Sequence, residues 1–541
     1  MAQHSIFSLV VDWRTVHVSS GGLRVMAGTA EALGIEHVFV LMLENRSFDH
    51  LLGFSDITGA DAETGAPTKI NGLRGTESNS FNGQTYTVSP GADYQMLTDP
   101  GHEFPDVLHQ LCGPAATYQS GGPYPTVDDS GFVAAYVASG GKDPSEIMKC
   151  YRPEQLPVLN ALASEFVVCD NWYASMPGPT WPNRMFVHAA SSGGLDHSPQ
   201  TPEIVEWEAI DGLAFKNGTI FDALEKNGIA RRLYGGDDFP MVAALKGIQL
   251  DDIRQYSLFA GDLAQADYPD RYIFIEPGYD VLNDYKAGTS QHPLGDITHG
   301  EALIKATYEA IRNSAVWPTS LFIIAWDEHG GFFDHGTPRE APAPGDTAPG
   351  AKYNQYGFTF ERYGPRVPAI VISPLIPKNL IDHRLYDHAS IPATLEALFG
   401  LSPLTGRDAR ANRLDSLITL QTPRGDSPET LPAPADSGTA PPSFRALAVP
   451  VAATAVSRPD ESVNEGNLPA IIHAAMQQEL SVWPDRRQAI VGRVASIKTR
   501  VEAMQYLAEA QEKLRPYRSQ ANAVMPSGFA SQMQLRVRGA G

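Results

Sequence analysis

Two apolar runs of strand length each end abruptly in a crowd of polar side chains, and the two endings echo one another. HVFVLML (37–43) runs into ENRSFDH, and SLFIIAW (320–326) runs into DEHGGFFDH. Runs that are apolar at every position, rather than at alternate ones, belong to strands covered on both faces. EFVVC (165–169), RYIFIEP (271–277) and PAIVIS (368–373) have the same character, and HGEALIKATYEAIRNS carries helical spacing. Strands alternating with helices predict an α/β fold with a mainly parallel sheet and helices on both faces.

In such sheets ligands sit beyond the carboxyl ends of the strands. Glu44 and Asn45 are the first residues past one run, and Asp327 and Glu328 the first past another. If the two strands are parallel neighbours, three carboxylates and an amide oxygen converge. Carboxylates that close repel one another unless a cation neutralises them, so the pattern points to a divalent metal held by oxygens. Ordinary strand-to-helix caps are the simpler account of one such motif; two motifs, each with a later Phe-Asp-His, favour the metal. Oxygen ligands favour Ca²⁺, Mg²⁺ or Mn²⁺.

SMPGPTWPNRMFVHAASS (175–192) is the third piece. Thr180 precedes Trp181 and Pro182 and then an apolar helical run, so it reads as an N-cap. A helix start also attracts phosphate, and a hydroxyl beside a metal can attack phosphorus. Asn183 and Arg184 stand near enough in sequence to orient the assembly or bind oxygens. His102, His292, His335 and His388 each follow a turn-type or acidic residue, a context suited to phosphate contacts or to protonating a leaving group. The chain carries no Walker loop, dinucleotide fingerprint or GxSxG elbow. Arg46, Ser47, Asp49 and His50 read as supports and turn residues rather than as actors.

A net charge of −21, from 41 Lys and Arg against 62 Asp and Glu, argues against nucleic-acid binding. It also argues against charge-driven adsorption to anionic membranes, although a local basic patch stays open. The three cysteines allow at most one bridge and read as buried thiols. No stretch is long and apolar enough to span a membrane. The first residues do not look like an export signal, so the cytoplasm is the default compartment.

The expected organisation is an N-terminal extension (1–34), a catalytic domain (35–420), a Pro/Ala-rich linker (421–462) and a helical extension (463–541). In the last, LPAIIHAAMQQELSVW and a seam of Ile490, Val494, Ile497, Val501 and Met504 predict a helical hairpin, with Pro516 ending its second helix. The Gly/Pro/Ser-rich stretches 113–130 and 336–350 read as functional rims or covers.

Taken in order, ENRSFDH, PGPTWPNR, HP followed by Asp296 and Gly300-Glu301, DEHGGFFDH and YGPRVPAIVISP resemble the phosphoesterase family of bacterial phospholipases C, plant non-specific phospholipases C and related bacterial acid phosphatases. The resemblance spans roughly residues 35 to 402. It implies an alkaline-phosphatase-like core, with Glu44, Asn45, Asp327 and Glu328 at the metal and phosphate centre and Thr180 as nucleophile. His102, His292 and His335 would contact the phosphoryl group or protonate the leaving group. From the residues themselves, Asn183, Arg184, Asp334 and His388 are expected to bind phosphate or to support the groups that do. Many bacterial relatives are exported; the larger lipases usually add β-rich C-terminal domains, whereas this tail reads as helical.

The expected activity is phospholipase C cleavage to diacylglycerol and a phosphorylated head group through a phospho-threonine. The alternatives are a phosphomonoesterase acting on soluble esters and an inactive binding protein on the same scaffold. The expected partners are a phospholipid or small phosphate ester, with peripheral membrane contact left open.

Overall fold

The computed structural model describes residues 28–207, 212–441, 444, 451 and 455–523. Most of the expected N-terminal extension, including the segment weighed as an export signal, lies outside the described residues.

Ten strands build the central sheet: β1 (His37–Leu43), β2 (Thr58–Asp61), β3 (Pro67–Lys69), β4 (Val167–Cys169), β5 (Arg231–Gly235), β6 (Ile253–Gln255), β7 (Tyr272–Glu276), β8 (Ser320–Trp326), β9 (Ala369–Ile372) and β10 (Leu380–Asp382). Their spatial order is β6-β5-β7-β1-β8-β9-β4-β10-β2-β3. Every residue of β1, β7 and β8 is buried, as a sheet covered on both faces requires. β7, β1 and β8 run parallel, with Leu43 opposite Trp326. The residues after each are therefore neighbours at the carboxyl edge. β9 runs antiparallel to both β8 and β4, so the sheet is mixed but mainly parallel.

Around it pack α1 (Phe48–Leu52), α2 (Phe104–Cys112), α3 (Pro157–Glu165), α4 (Thr180–Ala189), α5 (Ile297–Arg312) and α6 (Ser390–Phe399). α3 lies on α5, and α4 lies on α6. The long stretch 113–130 is anchored by its aromatics: Tyr118 and Tyr124 gather with Phe104 and Phe358.

The Pro/Ala-rich stretch does not hang free. Leu431 is buried, its N–H donates to Glu309, and its carbonyl accepts from Lys305. Ser437 and Thr439 donate to Asp296 at the start of α5. Short apolar and hydroxyl residues among the prolines are thus enough to lay the segment along α5.

The tail is three helices rather than a hairpin: α7 (Leu468–Val482), α8 (Arg487–Ala495) and α9 (Arg500–Ala523). The apolar seam crosses a break between the last two, and Pro516 lies inside α9 instead of ending it. Leu468, Ile472, Val494, Ile497 and Leu514 are buried in the same core as the sheet. All three cysteines are free thiols, with Cys150 and Cys169 buried. Among the described residues no helix is long and apolar enough to cross a membrane.

Candidate active site

The two echoing motifs meet at the carboxyl edge of β1 and β8. Asn45 adopts a left-handed backbone (φ 55°), a conformation its side chain tolerates better than most. The turn brings the Asn45 N–H to Asp327 Oδ1 at 3.0 Å, and the amide Nδ2 donates to Thr180 Oγ1 at 2.9 Å and to Glu328 Oε1. Gly330 permits this approach: a Cβ there would stand 2.1 Å from the Asn45 carbonyl oxygen. Glu44, Asn45, Thr180, Arg184, Asp327 and Glu328 form one buried cluster.

Thr180 is the first residue of α4 and does not cap it. Pro179 holds the N-cap position with no side-chain bond, and the Thr180 hydroxyl is taken up by Asn45. Asn183 secures the turn instead: its Oδ1 accepts from the Met176 N–H at 3.0 Å, and its Nδ2 donates to the carbonyls of Gly178 and Pro179. Arg184, one residue on, donates from Nε to Asp327 Oδ2 at 2.9 Å and from its fork to the carbonyls of Met42 and Leu43. It thereby ties the end of β1 to the first acid after β8.

Burial drives the Glu44 and Asp327 carboxyls above their ordinary range, against the pull of Arg184. Glu328 behaves differently: against the cost of burial, His102 and His329 hold it below its usual value. Burial would likewise lower His102, but Glu328, Asp99 and further carboxylates outweigh it and push the imidazole up to about 9. Those carboxylates favour the protonated imidazole. Its ring lies edge-on to that of His292, 6.2 Å away. His292 is desolvated and held well below its ordinary value, with Asp99 3.6 Å from its Nε2.

The remaining candidates stand around this cluster. His388 accepts from Trp172 Nε1 on Nδ1, so its Nε2 donates to the Asp327 carbonyl at 2.6 Å; burial lowers it to about 4. It is a neutral brace under Asp327. His335 is bonded to Asp49 and Asn71, and no described contact joins it to Thr180. Asp334 and Asp49 share Arg366, whose Nε and Nη2 reach them at 2.7 and 2.9 Å. Ser47 caps α1 through the His50 N–H and donates to the Phe333 carbonyl. Arg46 grips the carbonyls of Gln291 and His292. The polar crowding in ENRSFDH therefore fastens three loops to one another. Arg366, within YGPRVP, had one readable signal, a cation standing directly before the apolar run of β9.

Glu44 Oε2 and Asn45 Oδ1 are buried without hydrogen-bond partners. Unpaired oxygens beside carboxylates raised by burial suit a hard divalent cation. Among the described residues no three His, Cys, Asp or Glu side chains form a ready-made cage for an ion. The donors at this edge are the carboxylates of Glu44, Asp327 and Glu328 and the amide of Asn45, with the Thr180 hydroxyl beside them.

A helix-borne hydroxyl among carboxylates, at the strand ends of a parallel sheet, is the arrangement of an ester hydrolase built on an α/β core. The chain belongs to the phosphoesterase family, whose model matches residues 35–402. It is 38% identical over 419 residues to non-specific phospholipase C6 of Arabidopsis thaliana, covering 74% of this chain and 75% of that one. It is 35% identical to non-specific phospholipase C3 of the same plant (75% and 77% covered) and 27% identical to phospholipase C A of Mycobacterium tuberculosis (72% and 78%). A crystal structure of a Vibrio parahaemolyticus protein in the alkaline phosphatase superfamily overlaps 48% of this chain and 65% of that one, at 17% identity and a TM-score of 0.29.

Proposed function

We propose that this phosphoesterase is a phospholipase C, cleaving a glycerophospholipid on the glycerol side of phosphorus through a phosphorylated Thr180. The observation that carries the reading is the Asn45–Thr180 hydrogen bond of 2.9 Å inside the carboxylate cluster. It places a hydroxyl oxygen, at a helix start that favours phosphate, among groups able to orient it. The names of the plant and mycobacterial relatives favour the lipid diester over a soluble monoester.

Glu44, Asn45, Asp327 and Glu328 would hold a divalent cation. When bound, such an ion supplies charge stabilisation to the phosphoryl oxygens and increases the acidity of a neighbouring hydroxyl. The chain's own residues do the rest. Asn45 orients Thr180, and Arg184 fixes Asp327 against the end of β1. Thr180 Oγ1 passes its proton to a carboxylate of the cluster and bonds to phosphorus as the bond to the glycerol oxygen breaks; that proton returns to Thr180 in the second step, when the attacking water re-protonates His102. Protonated His102 delivers its proton to that departing oxygen, leaving diacylglycerol and a phosphoryl head group on Thr180. Water then attacks phosphorus, Thr180 recovers its hydroxyl, and the phosphorylated head group leaves.

The test is product analysis on phosphatidylcholine micelles, alongside p-nitrophenyl phosphate and p-nitrophenyl phosphorylcholine. Diacylglycerol with phosphocholine, and preference for the diester, are expected. Phosphatidate with free choline would overturn the cleavage side, and turnover of the monoester alone would make the chain a phosphomonoesterase.

A further inference from the structure

The carboxylate cluster is closed by a segment that lies well past the region matched by the family model. Residues 455–467 lead into α7 and are fastened at several points. The Ser457 N–H donates to the Leu282 carbonyl, and Arg458 pairs with Asp284 at 3.1 Å. Arg500 of α9 bonds Asp284 and the carbonyls of Val281 and Leu282. Asn464 accepts from both the N–H and the hydroxyl of Thr201.

The segment ends at Asn467, the buried residue before α7. Asparagine there ordinarily accepts an N–H of the first turn. Asn467 makes no such cap. Its Nδ2 donates instead to Glu44 Oε1 at 2.5 Å, across 423 positions of sequence; the Ser290 side chain also faces this carboxyl, and Glu44 Oε2 lacks a hydrogen bond of good geometry. The Asn467 backbone also meets Tyr285, whose ring is stacked on His292 at 3.4 Å and 4°. One short stretch of the C-terminal extension therefore touches the Glu44 carboxylate directly and His292 through one ring.

We propose that Asn467 is a positioning residue of the active site, holding Glu44 by one oxygen so that the other is presented to the cation. The catalytic centre is then completed by the C-terminal extension. The inference rests on the reading of Glu44 as a metal ligand, and its test separates the two.

Full-length wild type is compared with Asn467→Ala and with Asn467→Leu, which keeps the volume and loses the amide. Mn²⁺ affinity is measured from the free-ion electron paramagnetic resonance signal, and kcat and KM with p-nitrophenyl phosphorylcholine. Both variants are expected to bind Mn²⁺ about 10–100-fold more weakly and to lose a similar factor in kcat with KM nearly unchanged. Thermal melting should fall by only about a few degrees, since one buried carboxyl oxygen loses its donor but no helix cap is lost. A folded variant with wild-type Mn²⁺ affinity and wild-type kcat overturns the proposal, as does a lowered melting temperature with kcat unchanged. If wild type binds no Mn²⁺, the metal reading fails, and kcat decides for Asn467: a loss supports it, and no loss refutes it.

Discussion

Replacing Arg366 with methionine keeps the bulk of a fully buried side chain and removes a guanidinium that donates to four oxygens. Its Nε and Nη2 donate to Asp334 and Asp49, its Nη1 donates to the carbonyls of Asn71 and Asp170, and it stacks over Phe48. Breaking a buried ion pair from one side costs ~3–5 kcal/mol, because a charge is left without compensation. Asp49 keeps two bonds from His335, and Asp334 keeps the N–H groups of Asp49 and Gly336. These residual bonds place the expected loss near ~3 kcal/mol. The pH dependence is a second signature. Burial already raises Asp334, with Arg366 the main opposing influence, so the variant's carboxyl rises further. A carboxyl whose folded pKa exceeds its unfolded one contributes stability at low pH that is lost as pH rises through the folded value. The deficit should therefore be larger at about pH 8 than at about pH 5.5. Urea unfolding followed by tryptophan fluorescence measures both, since Trp172, Trp181 and Trp326 are buried reporters. A deficit below ~1 kcal/mol, or one equal at the two pH values, would refute the argument.

Other outcomes follow from the site. Thr180→Ala should lower kcat by about three orders of magnitude or more with circular dichroism unchanged, while Thr180→Ser keeps much of the rate. Arg184→Lys retains the charge but loses the fork that ties Asp327 to β1, and kcat/KM should fall about 10–100-fold in steady-state assays. His102→Gln removes the proton donor: kcat should drop by ~10²–10⁴ on phosphatidylcholine and far less on a p-nitrophenyl ester, whose leaving group needs no proton. Exhaustive chelation should abolish turnover and Mn²⁺ or Ca²⁺ restore it; elemental analysis that finds no metal in active protein would contradict the metal reading.

The carboxyl edge is legible in the sequence because the physics there is local. Seven apolar residues make a doubly covered strand, and the first polar residues after it must lie at its end. Their parallel pairing then sets Glu44 beside Asp327. The direction of β9 is not legible, since PAIVIS is equally apolar whichever way it runs. Thr180 looks like a cap because cap preference is a local property, and the competing Asn45 amide comes from another strand. Pro516 looks like a helix end for the same reason, although α9 continues through it. The prolines of 421–441 signal an extended chain without revealing that Leu431 and Ser437 dock it onto α5. Asn467 gives no signal at all: its partner is set by tertiary packing, and nothing in LPAIIHAAM marks the residue before it.

The central claim is that Thr180 takes the phosphoryl group, and the most direct measurement is to catch it doing so. The enzyme is mixed with p-nitrophenyl phosphorylcholine and acid-quenched within the first turnover, and its peptides are mapped by mass spectrometry. A burst of p-nitrophenol and a phosphocholine adduct on the peptide carrying Thr180 are expected, both absent in Thr180→Ala. An adduct on another residue, or a burst that persists in Thr180→Ala, would contradict it.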